Sequence, residues 1–406
     1  MVLASALDDV LVLDLSLHLS GPFTSRILAD LGARIVKVEP REGRKLPYSG
    51  EGPPPGFVAS NLGKQSIAVD LKSAQGRQVI HDLAKVADVV LENFRPGVTK
   101  RLGVDYETLR GLNPDLIYCT ITGFGSNGPL ATKPAFDAII QAMSGAMEAT
   151  GESDRPPALM TVNIGDLAAS CLASNAIQAA LRARDKGAGG THIDMSMLES
   201  LMYLMVFHTQ FYLQQGYLMG RHGSGYGPRS IAGAFETSDG KYIQVLCPYV
   251  HFQDSLQKVI SEVPGFDHLN TDPRFASELA RAENNEAFLA IARQAFVRRS
   301  EEEWLTLLAA ADIPHGRIQN VGEALTSAQA VHRGMVAEVD APEYGVSLPS
   351  MASPFHTAVS SVAPRRMSVP AFAEHTRAVL GDVLGYPEHR IDELVRTGVV
   401  AAREAT

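Results

Sequence analysis

Cysteine is scarce: Cys119, Cys171 and Cys247 are the only three in a chain of 406 residues. None forms a CxxC pair, and an odd, scattered set does not read as a disulfide framework, so a reducing, cytoplasmic setting is expected. Long apolar runs are missing too. The longest candidate, near 197–207, is interrupted by Glu199, which argues against a membrane-spanning helix. The opening residues, MVLASALDDVLVLDLS, carry acids where a secretory signal carries positive charge. No dense block of Lys and Arg occurs and the net charge is −9, so nucleic acid is not an expected partner. A few local basic groups still suffice for an anionic ligand. The twelve histidines contain no HxxxH or HxH spacing, so no metal centre is expected.

What is present is ordinary globular material. Hydrophobic residues make up 45% and charged residues 20%, ample for a sizeable core. The length exceeds what one core usually serves, so two domains are expected. The first part alternates strand-like and helix-like stretches. Strands are read at 10–15, 34–39, 66–71, 88–93, 116–122 and 191–196. Helices are read at 22–33, 73–86, 135–148 and 167–184, with a long apolar helix from Met197. This alternation predicts an α/β fold whose parallel sheet is covered on both faces.

The pattern changes after about residue 220. GAFETSDGKYIQVLCP (233–248) holds two β-like runs around Asp239–Gly240, a hairpin signal. Helical patterns follow at 249–261, 284–297 and 300–311, giving a smaller α+β domain. The domains are therefore placed at 1–220, 221–340 with linkers, and 341–406 as a segment returning to the first. The segments 220–229 and 341–354 are rich in Gly and Pro and read as linkers.

Several stretches carry candidate chemistry. GFGSNG (123–128) matches the spacing of a dinucleotide-phosphate loop, but Pro129 follows at once and no helix opens within the glycines. It reads as a plain glycine-rich turn. VDLK (69–72) and ENFRPG (92–97) each end a strand, where open parallel sheets bind ligands. Lys72, Arg95 and Arg101 either converge there on phosphates or are solvated charges. GSGYG (223–227) is either a linker or a lid. In NIGDLAAS, Asp166 follows a glycine at a helix start and is followed by small residues. It is a preferred capping type, although Ala169 precludes a capping box. A carboxylate in a partly dry site is equally a nucleophile toward an activated carbonyl, and the pattern alone leaves both readings open.

Together the motifs VLDLSLHLSGPFTSRILADLGARIVKVE, NLGKQSIAVDLKSAQGR, ADVVLENFRPGVTKRLGVDYETL, NPDLIYCTITGFGSNGP, AFDAIIQAMSGAMEATG and NIGDLAAS resemble the class III CoA-transferases, the CaiB/BaiF group. The tail EHT…VLGDVLGY…IDEL…GVV matches as well. That group includes formyl-CoA and carnitine CoA-transferases and is related to α-methylacyl-CoA racemases. The resemblance implies a Rossmann-like large domain that binds coenzyme A, plus the smaller domain, in an interlocked, ring-like homodimer. It implies acyl-CoA and a small carboxylic acid as substrates, with succinate-like dicarboxylates a family habit, and no metal, nicotinamide or flavin.

By motif, the resemblance makes Asp166 the nucleophile, working through an aspartyl anhydride and an aspartyl-CoA thioester. The small residues beside it would give the pantetheine room. The resemblance assigns CoA contacts to Val69, Asp70, Lys72, Asn93, Phe94, Arg95 and Arg101, with His18 in LHLSGP at the thioester end. Phe136, Asp137, Gly223 and Gly225 fall on substrate-side positions, the glycines as a shortened lid. The racemases carry a histidine where this chain has Phe136, which cannot move a proton and so favours acyl transfer. Two departures stand out. PREGRKLPYSGEG (40–52) replaces the usual P-G-x-G-D, with Arg41 and Arg44 as substitute phosphate contacts, and Ala373 in FAEHT replaces a glycine. The competing readings are a racemase or intramolecular CoA-transferase, and a CoA-binding regulatory protein without turnover.

Overall fold

A computed structural model describes residues 3–44, 52–227, 230–356 and 367–403. Parts of two predicted segments, 45–51 and 228–229, therefore lie outside the described residues. The chain divides into two units: Met1–Ser144, Thr161–Met205 and Ala328–Thr406 form one, and Gly145–Met160 with Val206–Ser327 the other.

The first unit is built on β1 (Leu11–Asp14), β2 (Arg34–Pro40), β3 (Gln65–Val69), β4 (Val89–Glu92), β5 (Ile117–Thr122) and β6 (Thr191–Ser196). All six pair in parallel, in the order 3-2-1-4-5-6. This is the Rossmann order, and it reverses direction between β1 and β4. The reason these runs form central strands is plain in β5, where all six residues are buried. Among the helices are α1 (Ser20–Asp30), α2 (Pro55–Asn61), α3 (Ala74–Val86), α4 (Val98–Leu102), α5 (Tyr106–Arg110), α6 (Asp137–Ser144), α7 (Ile164–Arg184) and α8 (Met197–Leu204). α3 presents Val79, Ile80 and Leu83 to Leu13, Val36, Ile67 and Val90 of the sheet. Val379, Leu380, Ile391 and Leu394 of the C-terminal segment join the same core.

The second unit holds a sheet of β7 (Ile231–Glu236), β8 (Tyr242–Cys247) and β9 (His315–Arg317), all antiparallel. Its core stacks Phe235 on Phe296 and Phe296 on Trp304, with centroids 4.5 Å and 4.1 Å apart. The Trp304 indole donates to the Phe296 carbonyl at 2.8 Å.

Three expectations need correction. The sheet is not wholly parallel: in the first unit a seventh strand, Val400–Ala401, adds antiparallel to β3. The segment 341–354 is not a plain linker, because β10 (Val336–Ala341) and β11 (Val346–Met351) form a hairpin there. The long helix from Met197 breaks at Met205 and resumes as a separate helix, Val206–Gln215.

Candidate active site

The loop after β1 and the loop after β4 meet where the strand order reverses, which is where open α/β sheets bind ligands. A pocket opens there, lined by His18 and Ser20 after β1, by Asn93, Phe94 and Arg95 after β4, by Ile121–Gly123 at the end of β5, by Lys133–Phe136, and by Asp166. Of the residues expected at the site, His18, Asn93, Phe94, Arg95, Phe136 and Asp166 line this one pocket. The His18 and Phe136 rings meet edge to face at 6.1 Å.

Asp166 lies in the first turn of α7 but is not its cap. The helix starts at Ile164, and Asn163 at the capping position makes no side-chain bond. Asp137 does the capping: its Oδ1 accepts from the N–H groups of Gly165 at 2.7 Å and Asp166 at 3.2 Å. Its Oδ2 accepts from Gln141 at 2.6 Å. Asp137 is buried, so its carboxylate serves the start of α7 rather than open pocket space. Asp166 is half-buried. Burial and the neighbouring Asp137 charge push its pKa up to about 6, while the polar groups of Ser20 in the same pocket oppose the rise.

The small residues after Asp166 do not provide ligand space. Ala168, Ala169, Ser170 and Ala173 are buried, and Ser170 bonds α1 through its hydroxyl to the Ser20 carbonyl at 2.7 Å. They are small because α1 and α7 pack closely.

The remaining expected contacts are spread along the sheet edge. Val69 is 1% exposed, so its side chain belongs to the core and only its backbone is available. Asp70 turns its carboxylate back on the Lys72 N–H at 2.9 Å. Lys72 is exposed, with Glu42 at 3.8 Å. Arg41 lies against Gly398. Arg44 is not free for a phosphate: it pairs with Glu39 and Glu343. Arg95 and Arg101 are exposed, and among the described residues neither has an acidic partner. β3 lies three strand spacings from β4, roughly 14 Å. Lys72 and Arg95 therefore follow strands that stand well apart in the sheet. The GFGSNG turn is already occupied from within: the Ser126 N–H and hydroxyl donate to the Asp194 carboxylate at 2.9–3.1 Å. It is a tied turn, as Pro129 suggested.

Gly223 and Gly225 belong to the second unit. Gly223 has φ +55° and donates to the Gly151 carbonyl, and Gly225 donates to that of His222. Ser224 accepts from Ala234 of β7 at 2.8 Å. This part of GSGYG is an anchored turn within its unit.

Sequence reasoning missed the support beneath the pocket. Asp14 is fully buried between Lys37 at 3.2 Å and Lys64 at 3.0 Å. Burial acts upward on its carboxyl, but the two ammonium groups and the Ser16 and Ser25 hydroxyls outweigh it and hold it below the usual carboxylate range. The lysines also grip the pocket loop. Lys37 donates to the Ser16 carbonyl, and Lys64 to that of Pro22 at 2.8 Å. Asn93 clamps the backbone of Leu17 through both N–H and C=O at 2.7 Å. Next to it, His18 is held at φ +63°, a left-handed conformation rare for non-glycine residues and typical of constrained functional loops. The available signal was a charge inside each of the apolar runs VLVLDL and RIVKVE. Glu92, buried at the end of β4, is also new. Burial raises its pKa to about 7, opposed by bonds from Thr120 and the Phe94 N–H, with Asp194 adding to the rise.

A Rossmann-ordered sheet with a half-buried carboxylate lining a pocket at its switch point is the layout of an α/β protein that binds a ligand there. The chain belongs to CoA-transferase family III, whose model matches residues 7–376. It is 32% identical to a succinyl-CoA:glutarate CoA-transferase of Mus musculus over 405 residues, 98% of this chain and 91% of that one. It is 37% identical to an acetyl-CoA:oxalate CoA-transferase of Acetobacter aceti over 335 residues, 81% and 85% of the two chains. Among solved structures, a CaiB/BaiF family protein from Brucella suis superposes with TM-score 0.80 at 32% identity, covering 92% of this chain and 98% of that one. The protein is thus a class III CoA-transferase, moving CoA between an acyl-CoA and a carboxylic acid.

Proposed function

We propose that this enzyme transfers CoA to a small dicarboxylic acid by covalent catalysis on Asp166. The observation that carries the reading is the half-buried Asp166 at the switch-point pocket, with a pKa near 6 that leaves it ionised at neutral pH. Asp166 attacks the thioester carbonyl, giving a mixed anhydride and CoA thiolate. The thiolate attacks the aspartyl carbonyl, releasing the donor acid and leaving an aspartyl-CoA thioester. The acceptor carboxylate then runs the sequence in reverse. The extended CoA fits the spread of Lys72, Arg95 and Arg101 along the sheet edge, with its thioester end at His18. The relatives named for succinyl-CoA with glutarate and for oxalate support a dicarboxylate partner.

The working unit in this reading is a homodimer. Within the second unit, the helix Val206–Gln215 has no buried residue and exposes Val206, Phe207, Tyr212 and Leu213. An apolar face of that extent calls for a covering surface, and a second copy of the chain supplies one.

The test is incubation with succinyl-CoA followed by mass spectrometry. A CoA adduct on the peptide holding Asp166, absent in Asp166→Asn, is expected, together with CoA exchange onto glutarate. Scrambling of the acyl α-hydrogen in deuterated water without exchange would instead identify a racemase. Binding without either reaction would identify a regulatory protein.

A further inference from the structure

Thr122 lines the pocket from the end of β5 and is only 8% exposed, yet among the described residues its Oγ1 has no hydrogen-bond partner. Buried hydroxyls in native proteins are nearly always bonded. Thr120, two residues earlier on the same face of the strand, follows that rule and meets the His192 ring nitrogen at 2.9 Å. Thr122 stands where its neighbours run out. β4 ends at Glu92, which pairs with Thr120, so no β4 residue lies beside Thr122. On its other side Thr122 pairs with Ser196 of β6, whose hydroxyl is turned to α8 and accepts the Glu199 N–H at 3.2 Å. The unbonded hydroxyl thus sits at the carboxyl edge of the sheet, where open α/β sheets take their ligands.

The rest of the pocket indicates what such a hydroxyl would bond. The basic side chains His18, Arg95 and Lys133 line it against a single carboxylate, Asp166. Among the described residues neither Arg95 nor Lys133 has an acidic partner. That balance favours an anion. A threonine hydroxyl can donate to an anion, and a hydrogen bond to a charged oxygen is stronger than one to a neutral oxygen.

We infer that Thr122 binds substrate: its hydroxyl donates to the free carboxylate of a dicarboxylic acyl group and so selects that group over a monocarboxylic one. The inference rests on the dicarboxylate reading above and deepens it. Only two methylenes separate the reacting carbonyl of a succinyl group from its free carboxylate, so both ends fall within the pocket that Asp166 and Thr122 share. An acyl group ending in a methyl leaves the hydroxyl unbonded, and a site built to hydrogen-bond its substrate rejects an analogue that cannot reply.

The experiment measures dissociation constants of succinyl-CoA and butyryl-CoA, which ends in a methyl where succinyl-CoA has its carboxylate. Calorimetry is done in the Asp166→Asn protein, so that no acyl transfer intervenes, with Thr122 kept or changed to Val or Ser. Thr122→Val is expected to reduce the preference for succinyl-CoA about 10–100-fold. Thr122→Ser, which keeps the donor, should stay within threefold of the parent. Thr122→Val alone, without thioester, should melt at or above wild type, because valine keeps the shape and deletes the unbonded hydroxyl. A preference that survives in Thr122→Val, or falls equally in Thr122→Ser, overturns the inference alone. A Thr122→Val protein that melts lower shows that the hydroxyl has a partner within the fold and overturns it too. A parent protein that binds the two thioesters equally overturns the dicarboxylate reading, and the inference with it.

Discussion

Asp137 caps the helix that carries Asp166: its carboxylate accepts the backbone N–H of Asp166 at 3.2 Å. The same charge that completes the helix start helps raise the pKa of the residue it presents. Burial is the larger cause and the Asp137 charge the second, so neutralising Asp137 lowers the Asp166 pKa below about 6. Asp137→Asn keeps an acceptor for Gly165, and its acid limb in kcat/KM should move to lower pH. Asp137→Ala also loses the cap and should be about 1–2 kcal/mol less stable than wild type. A limb that rises in Asp137→Asn would show that the charge is not acting on Asp166.

Asp166 itself opposes folding at working pH. Its folded pKa, about 6, lies above the ordinary 3.8, so the fold binds the proton more tightly than the unfolded chain. That contribution is fully present below about pH 4 and is lost as pH rises through about 6. Asp166→Asn should therefore melt higher than wild type at pH 8, by on the order of 1–2 kcal/mol, with the gain shrinking toward pH 4. Thermal unfolding at the two pH values checks this, and an equal difference at both would count against it.

Much of this architecture is legible in sequence because the central strands are buried on both faces. VVLE and IYCTIT have no solvent face to alternate with, so they stand out as short apolar runs. The residues around Asp166 are another matter. Asp137 is 29 positions from Asp166, and Ser20 is further still, so their contacts exist only after α1, α6 and α7 have packed. The same holds for Asp14 and Lys37, whose charges look misplaced in apolar runs until the fold brings them together with Lys64. The hairpin of β10 and β11 was hidden by Pro342, Gly345 and Pro349, residues that read locally as a linker.

The pocket loop has no room for a larger residue at its closing turn. A Cβ on Gly21 would lie 2.2 Å from the Ser16 Cβ and 2.4 Å from its Oγ. Ser16 cannot yield, because its N–H and hydroxyl bond the buried Asp14. Gly21→Ala should lower stability by about 1–3 kcal/mol, as overpacking does. It should also depress kcat beyond what partial unfolding explains, since His18 and Ser20, which line the pocket, move with the loop. Melting curves and assays well below the transition separate the two effects, and a fully active, equally stable variant would refute the packing argument.

Ala373 offers a test in the opposite direction. Its φ is +57°, a left-handed conformation that crowds any Cβ. The conformation is enforced by the surroundings: the Ala373 N–H donates to the Ser66 hydroxyl at 2.9 Å, and the residue is buried. Ala373→Gly relieves the strain, at the expense of a more flexible unfolded chain and a small loss of methyl packing. Strain is the larger effect at positive φ, so the variant should gain about 0.5–1 kcal/mol in chemical denaturation. Ala68 is the control. It is equally buried, but in β3, where φ is not positive, so Ala68→Gly should be destabilising. A loss of stability at both positions would mean that methyl packing, not backbone strain, decides the outcome at 373.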